Sequence, residues 1–142
     1  MPSGSTERES VAGKRVLVVD DDRVIQQLLE VNLELEGYQV AGTASDGREA
    51  IALAEKLSPD LILLDIMMPK MDGLEVCRHL KSDPKLAKIP IVLLSARAQD
   101  MDIREGLEIG ADAYLTKPFD PVELLDVVGR LLAGERILPA DS

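Results

Sequence analysis

Four short apolar runs of this chain stop on residues that can do chemistry. Arg15 to Val19 runs into Asp20-Asp21-Asp22, Leu61 to Leu64 stops on Asp65, Pro90 to Leu94 on Ser95, and Ala113 to Thr116 on Lys117. Runs of this length, apolar on both faces, suit buried strands of a parallel sheet. In open α/β sheets the carboxyl ends of the strands are where ligands bind. If strands 1, 3, 4 and 5 are neighbours in that order, these residues line one edge. Three carboxylates so placed repel one another, each pair costing several kcal/mol at about 4 Å and an effective dielectric near 20. The cluster must then retain a proton or bind a cation. Oxygen-only ligands suit Mg²⁺, which takes one or two carboxylates, keeps waters and accepts a phosphate oxygen. Lys117 adds a point charge and Ser95 a hydroxyl donor. Metal, ammonium and hydroxyl around one carboxylate describe a phosphoryl-transfer site, with a carboxylate as nucleophile.

The elements that must position these residues can be read from periodicity. Strand 2 is expected over Tyr38 to Thr43, between the strands ending at Asp20 and Asp65. A helix is expected from Arg23 to about Glu36, with Ile25, Leu28, Leu29, Leu33 and Leu35 on its apolar period, Asp22 as N-cap and Gly37 as stop. A second runs from Asp46 to Leu57, with Asp46 and Glu49 as a capping-box-like pair and Ile51, Ala54 and Leu57 toward the sheet. A third spans Gly73 to Ser82 behind Asp72 and Glu75, broken by Asp83-Pro84. A fourth, over Gln99 to Ile109, carries Gly106, which costs about 1 kcal/mol relative to Ala. A fifth begins at Pro121 behind Asp120 and continues to about Ala133. Five strands alternating with five helices predict a doubly wound α/β fold with right-handed crossovers.

Composition narrows the function classes. The chain has 142 residues, 46% apolar and 30% charged, with a formal net charge of −10. That length suits one domain. The negative charge argues against direct nucleic-acid binding, and only Tyr38, Tyr114 and Phe119 are available for stacking. No stretch approaches the roughly 18 apolar residues of a membrane span. Met1 to Val11 has no signal-peptide core, and the single Cys77 excludes an internal disulfide; a cytoplasmic location is expected. Residues 1–13 read as a disordered tail, 14–133 as the domain, and 134–142 as a tail or the start of a linker.

The acidic pair after "VLVVD", the stretch "LILLDIMMPKMDGLE", the strand end "PIVLLSA" and "GADAYLTKPF" together resemble the receiver domain of two-component response regulators, over about Lys14 to Leu132. The resemblance implies a flavodoxin-like (βα)5 fold, a five-stranded parallel sheet in the order 2-1-3-4-5. It implies that Asp65 accepts phosphate from a histidine kinase or phosphotransfer protein. Asp20 and Asp21 would bind Mg²⁺ with Asp65 and the Met67 backbone carbonyl. Ser95 would be the hydroxyl that moves to the phosphoryl group, Lys117 its counter-ion and Tyr114 the aromatic that follows Ser95. It further implies a cis Lys117-Pro118 bond. The face made by helix 4, strand 5 and helix 5 would meet an output domain or downstream protein, and helix 1 the kinase. Met67 and Arg97 occupy positions that tune phosphoryl lifetime. No enzyme activity is expected beyond the chain's own phosphoryl transfer and dephosphorylation. Phosphorylation-dependent dimerisation stays open.

Other readings compete. Asp20-Asp21-Asp22-Arg23-Val24 spells D-x-D-x-V and resembles the first motif of haloacid-dehalogenase-like phosphatases, with Asp20 as nucleophile. That reading leaves Asp65 without a role and finds no later strand for a second acidic motif. A flavodoxin-like redox carrier would set a flavin phosphate against three aspartates. Plain structural roles suit other residues: capping for Asp22, Asp46, Asp72 and Asp120, a solvated side chain for His79, a buried thiol for Cys77. Met67, Met68 and Met71 can pack the loop or face a partner.

Overall fold

The computed structural model describes residues 13–68, 71–96 and 100–136, with 100–103 described by backbone alone. Five strands and five helices alternate: β1 Arg15–Val19, α1 Arg23–Leu35, β2 Gln39–Ala44, α2 Gly47–Leu57, β3 Leu61–Asp65, α3 Gly73–Ser82, β4 Ile91–Ser95, α4 Asp100–Ile109, β5 Ala113–Thr116 and α5 Pro121–Leu132. All pairings are parallel and the sheet order is β2-β1-β3-β4-β5. The expected flavodoxin-like order is therefore present. The chain leaves β1 toward β2 and returns to β3 on the other side, so the order reverses between β1 and β3 at the edge carrying Asp20 and Asp65.

Alternation along the strands sorts side chains onto two faces. Leu17, Val19, Ile62, Leu64, Ile91 and Leu93 pack with Ala50 and Ala54 of α2 and Leu74, Val76, Cys77 and Leu80 of α3. Val16, Val18, Leu61, Leu63, Val92 and Leu94 pack with Leu29 and Leu33 of α1 and Leu124, Val127, Val128 and Leu131 of α5. Burial on this scale, about 1.5–3 kcal/mol for each large apolar side chain, makes the central strands rigid supports for the polar residues at their carboxyl ends. Cys77 is fully buried, and burial pushes its thiol up to about 11.

The expected caps are in place. Asp22 accepts from the Val24 and Ile25 amides, Asp46 from Glu49, Asp72 from Glu75 and Asp120 from Val122. The reciprocal bond behind Asp46 is displaced by one residue: the Glu49 carboxylate accepts from the Ser45 amide at 2.7 Å. Gly37 ends α1 with φ 96° as expected.

Two expectations need correction. The buried face of α1 is Gln26, Leu29 and Leu33, whereas Leu28 and Leu35 are exposed. The apolar period over-counted because α1 carries a second, solvent-facing stripe. Strand bounds also shift by one residue: β2 starts at Gln39, with Tyr38 buried ahead of it, and β4 runs Ile91–Ser95. Gly106, expected only to weaken α4, sits where a Cβ would overlap Leu93 Cδ1, so its missing side chain lets α4 lie close on β4. The tail expected over residues 1–13 lies outside the described residues except Gly13. Of residues 134–142, the first three are described, and Glu135 pairs back to Arg130 at 3.2 Å. No helix among the described residues is long and apolar enough to cross a membrane.

Candidate functional site

Strand register sets the candidate residues at nearly one level. Val19 pairs with Leu64, so Asp20 and Asp65 leave the sheet side by side. Asp65 pairs with Leu94, and Ser95 with Thr116, which puts Ser95 one step and Lys117 two steps further out than Asp65. The Lys117 amide donates to the Ser95 carbonyl at 2.7 Å, tying those two ends together. The Lys117-Pro118 bond is cis.

The side chains converge on one cation. Lys117 Nζ donates to Asp20 Oδ2 at 2.5 Å and lies 3.5 Å from Asp65 Oδ1. Asp20 is 0%, Asp65 2% and Ser95 4% exposed, whereas Asp21 opens to solvent at the mouth. Asp20 Oδ1 accepts from the Asp22 amide at 2.9 Å, and Asp65 Oδ1 from the Met67 amide at 3.1 Å. Burial, joined by the charge of Asp20, raises Asp65 to about 7 against the opposing pull of Lys117 and the Met67 amide. Among the described residues one ammonium thus fails to compensate the carboxylates.

Asp20, Asp21 and Asp65 each present a carboxylate oxygen, all within 4.8 Å of one another. These are hard oxygen donors, buried on one side and open on the other, with excess negative charge. They fit a small divalent ion that keeps part of its water shell.

The loop after β3 is held close to this centre. The Gly73 amide donates to the Ile66 carbonyl at 2.8 Å. A Cβ on Gly73 would overlap the Asp65 carbonyl oxygen and lie 2.7 Å from Ile66 Cα. Met68 and Met71 pack against the α2–α3 side of the core, while the Met67 side chain is exposed. The packing role thus falls to Met68 and Met71.

Tyr114 does not join the cluster. It pairs in register with Leu93, faces outward between buried Ala113 and Leu115, and is 39% exposed. Arg97 lies outside the described residues. His79 is exposed on α3. Sequence reasoning missed Gln26. Its Nε2 donates to the Asp20 carbonyl at 2.5 Å and to the Ala44 carbonyl and Ser45 Oγ, both at 3.2 Å. The available signal was its spacing of three and seven from Leu29 and Leu33.

Comparison with known proteins agrees with this geometry. The model of the family described as "Response regulator receiver domain" matches residues 16–129. The chain belongs to that family. Receiver domains act in two-component phosphorelay signalling, and the haloacid-dehalogenase-like reading of Asp20 finds no support. The chain is 49% identical over 125 residues to the DNA-binding dual master transcriptional regulator RpaA of Synechocystis sp., covering 88% of this chain and 52% of that protein. It is 47% identical over 129 residues to the alkaline phosphatase synthesis transcriptional regulatory protein PhoP of Bacillus subtilis, covering 91% and 52%. This receiver chain therefore spans about half the length of those two relatives. Among solved structures, the receiver domain of a sensor histidine kinase from Pseudomonas aeruginosa PAO1 superposes with a TM-score of 0.77 at 33% identity, covering 87% of this chain and 100% of that one. That structure has a magnesium ion coordinated in its active site cleft.

Proposed function

We propose that Asp65 is the phospho-acceptor of this receiver. The carboxylate attacks the phosphorus of a phosphohistidine; the Oδ–P bond forms as the P–N bond breaks, and the imidazole leaves with the electron pair and takes a proton from solvent. The observation that carries this reading is the position of Lys117 Nζ, 2.5 Å from Asp20 and 3.5 Å from Asp65, beside a carboxylate that burial and Asp20 hold up at about 7. Asp65 thus joins deep burial to only partial compensation by Lys117.

Asp20, Asp21 and Asp65, with the Met67 backbone carbonyl, would hold Mg²⁺. When bound, that ion supplies charge neutralisation for the carboxylates and for phosphoryl oxygens. Lys117 serves as counter-ion to the phosphoryl group and Ser95 as its hydroxyl donor. Phosphorylation adds negative charge and acceptor oxygens beside both. Ser95 moving inward leaves room for Tyr114 to turn in from its exposed position, and the face of α4, β5 and α5 shifts between two arrangements. That face meets the output domain or downstream protein. The phosphoryl donor, a histidine kinase or phosphotransfer protein, docks on α1. The chain performs no other catalysis than its own phosphorylation and dephosphorylation, in the cytoplasm.

The α1 role draws on a second feature of the fold. Val24, Leu28, Val31 and Leu35, spaced four, three and four apart, are 43–81% exposed along the whole helix. That spacing is the seam a helical partner reads.

Borohydride trapping tests the acceptor. Reduction of the acyl phosphate after transfer from a phosphohistidine donor is expected to convert position 65 to homoserine; conversion at position 20 instead would overturn the assignment.

A further inference from the structure

We infer that Gln26 is a positioning residue for the cation site, holding the Asp20 peptide so that its carboxylate stays against Asp65 and Lys117. The inference rests on the reading of Asp20 as a cation ligand.

Gln26 occupies the buried face of α1 with Leu29 and Leu33, at a position where a third apolar side chain would suit the stripe. Burying an amide costs free energy unless its hydrogen bonds are made. Gln26 Nε2 makes them to the carboxyl ends of β1 and β2: the Asp20 carbonyl at 2.5 Å, the Ala44 carbonyl and Ser45 Oγ at 3.2 Å. Every polar group of Asp20 is then engaged. Its amide donates to the Ala44 carbonyl at 3.0 Å, its carboxylate oxygens accept from the Asp22 amide and from Lys117, and Gln26 takes the remaining carbonyl.

The consequence is mechanical. Asp20 and Asp65 repel, and an unrestrained Asp20 peptide would shift to separate them. The Gln26 bond holds the carbonyl, so the two carboxylates keep their short separation before a cation arrives. A ligand set organised in advance loses less on binding. The same side chain reaches Ser45, whose amide is held by Glu49, so the β2–α2 turn is braced against the site.

The test is Mg²⁺ titration calorimetry on the wild-type chain, Gln26→Met and Leu33→Val. Met keeps the length and helix preference of Gln without its donors, and Leu33→Val loosens α1 packing elsewhere. Gln26→Met is expected to bind Mg²⁺ about tenfold more weakly, as loss of an outer-shell partner does. Leu33→Val is expected to stay within about twofold of wild type. Wild-type affinity in Gln26→Met, or an equal loss in Leu33→Val, would reduce Gln26 to packing. Should Gln26→Met not fold, the wild-type chain decides by NMR. The Gln26 side-chain amide signals are expected to move along the Mg²⁺ titration, while those of Asn32, bonded to the Leu28 carbonyl on the same helix, stay fixed. Stationary Gln26 signals overturn the inference. A wild-type chain that binds no Mg²⁺ removes the reading beneath it; wild-type binding with an unaffected Gln26→Met removes the inference alone.

Discussion

Lys117 Nζ stands between Asp20 and Asp65, 2.5 Å from one carboxylate and 3.5 Å from the other, although 97 residues separate it from Asp20 in the chain. Its removal leaves two buried carboxylates facing each other with no other cation paired to them among the described residues. Lys117→Met is expected to cost about 2–4 kcal/mol at pH 8 in metal-free buffer, with Asp65 pushed further up. The loss should shrink toward pH 5, where Asp65 takes a proton. Urea unfolding of both proteins at the two pH values measures it, and an equal loss at both would contradict the charge argument.

Asp65 itself should make stability fall as pH rises. Its folded pKa, about 7, lies above the ordinary 3.8. The folded state therefore binds the extra proton between those values, and the associated stability is full below the lower value and lost as pH climbs through the upper. In metal-free buffer Asp65→Asn is expected to gain on the wild type from pH 4 to pH 8 by about 2–4 kcal/mol. A pH-independent difference between the two proteins would contradict the raised pKa.

Gly73 couples the loop to the site by the side chain it lacks. A Cβ there meets the Asp65 carbonyl oxygen and Ile66 Cα, both backbone, so relief requires moving the end of β3 or the start of α3. Gly73→Ala is expected to destabilise by about 1–3 kcal/mol and to slow labelling of an intact Asp65. Chemical denaturation and acetyl phosphate labelling read the two effects; wild-type values in both would show that the loop relaxes freely.

The exposed stripe on α1 should matter to the protein donor alone. Val31→Lys and Leu35→Lys are expected to change stability by less than about 0.5 kcal/mol, as surface substitutions do. Both should weaken phosphoryl transfer from a phosphohistidine-bearing protein, leaving acetyl phosphate labelling as in wild type. Equal loss with both donors would place the effect inside the site and not at a docking surface.

Much of this site is legible in the sequence because parallel strands buried on both faces are simple to read. Each ends abruptly where the apolar run meets Asp20, Asp65, Ser95 or Lys117, and the sheet order brings those ends to one edge. Four aspartates placed ahead of helical periods are caps, since a carboxylate there meets amides that lack helical partners. What resisted reading depends on contacts between distant segments. Gln26 is polar and its acceptors lie at the ends of two strands, so only its spacing from Leu29 and Leu33 hints locally at burial. Leu28 and Leu35 mimic a core period while facing solvent. Gly106 looks like a helix-weakening residue, and Gly73 like a plain helix start, until the strand beneath each is in place. Ser58 closes α2 with φ 45°, a left-handed cap that a glycine would have advertised.

The most direct test of Asp65 as the acceptor is intact mass after incubation with acetyl phosphate, with and without Mg²⁺, on the wild-type chain, Asp65→Asn and Asp20→Asn. A single phosphoryl adduct is expected on the wild type, one that requires Mg²⁺, is absent from Asp65→Asn and is reduced in Asp20→Asn. An adduct of wild-type yield on Asp65→Asn would contradict the assignment, because the nucleophile would then lie elsewhere.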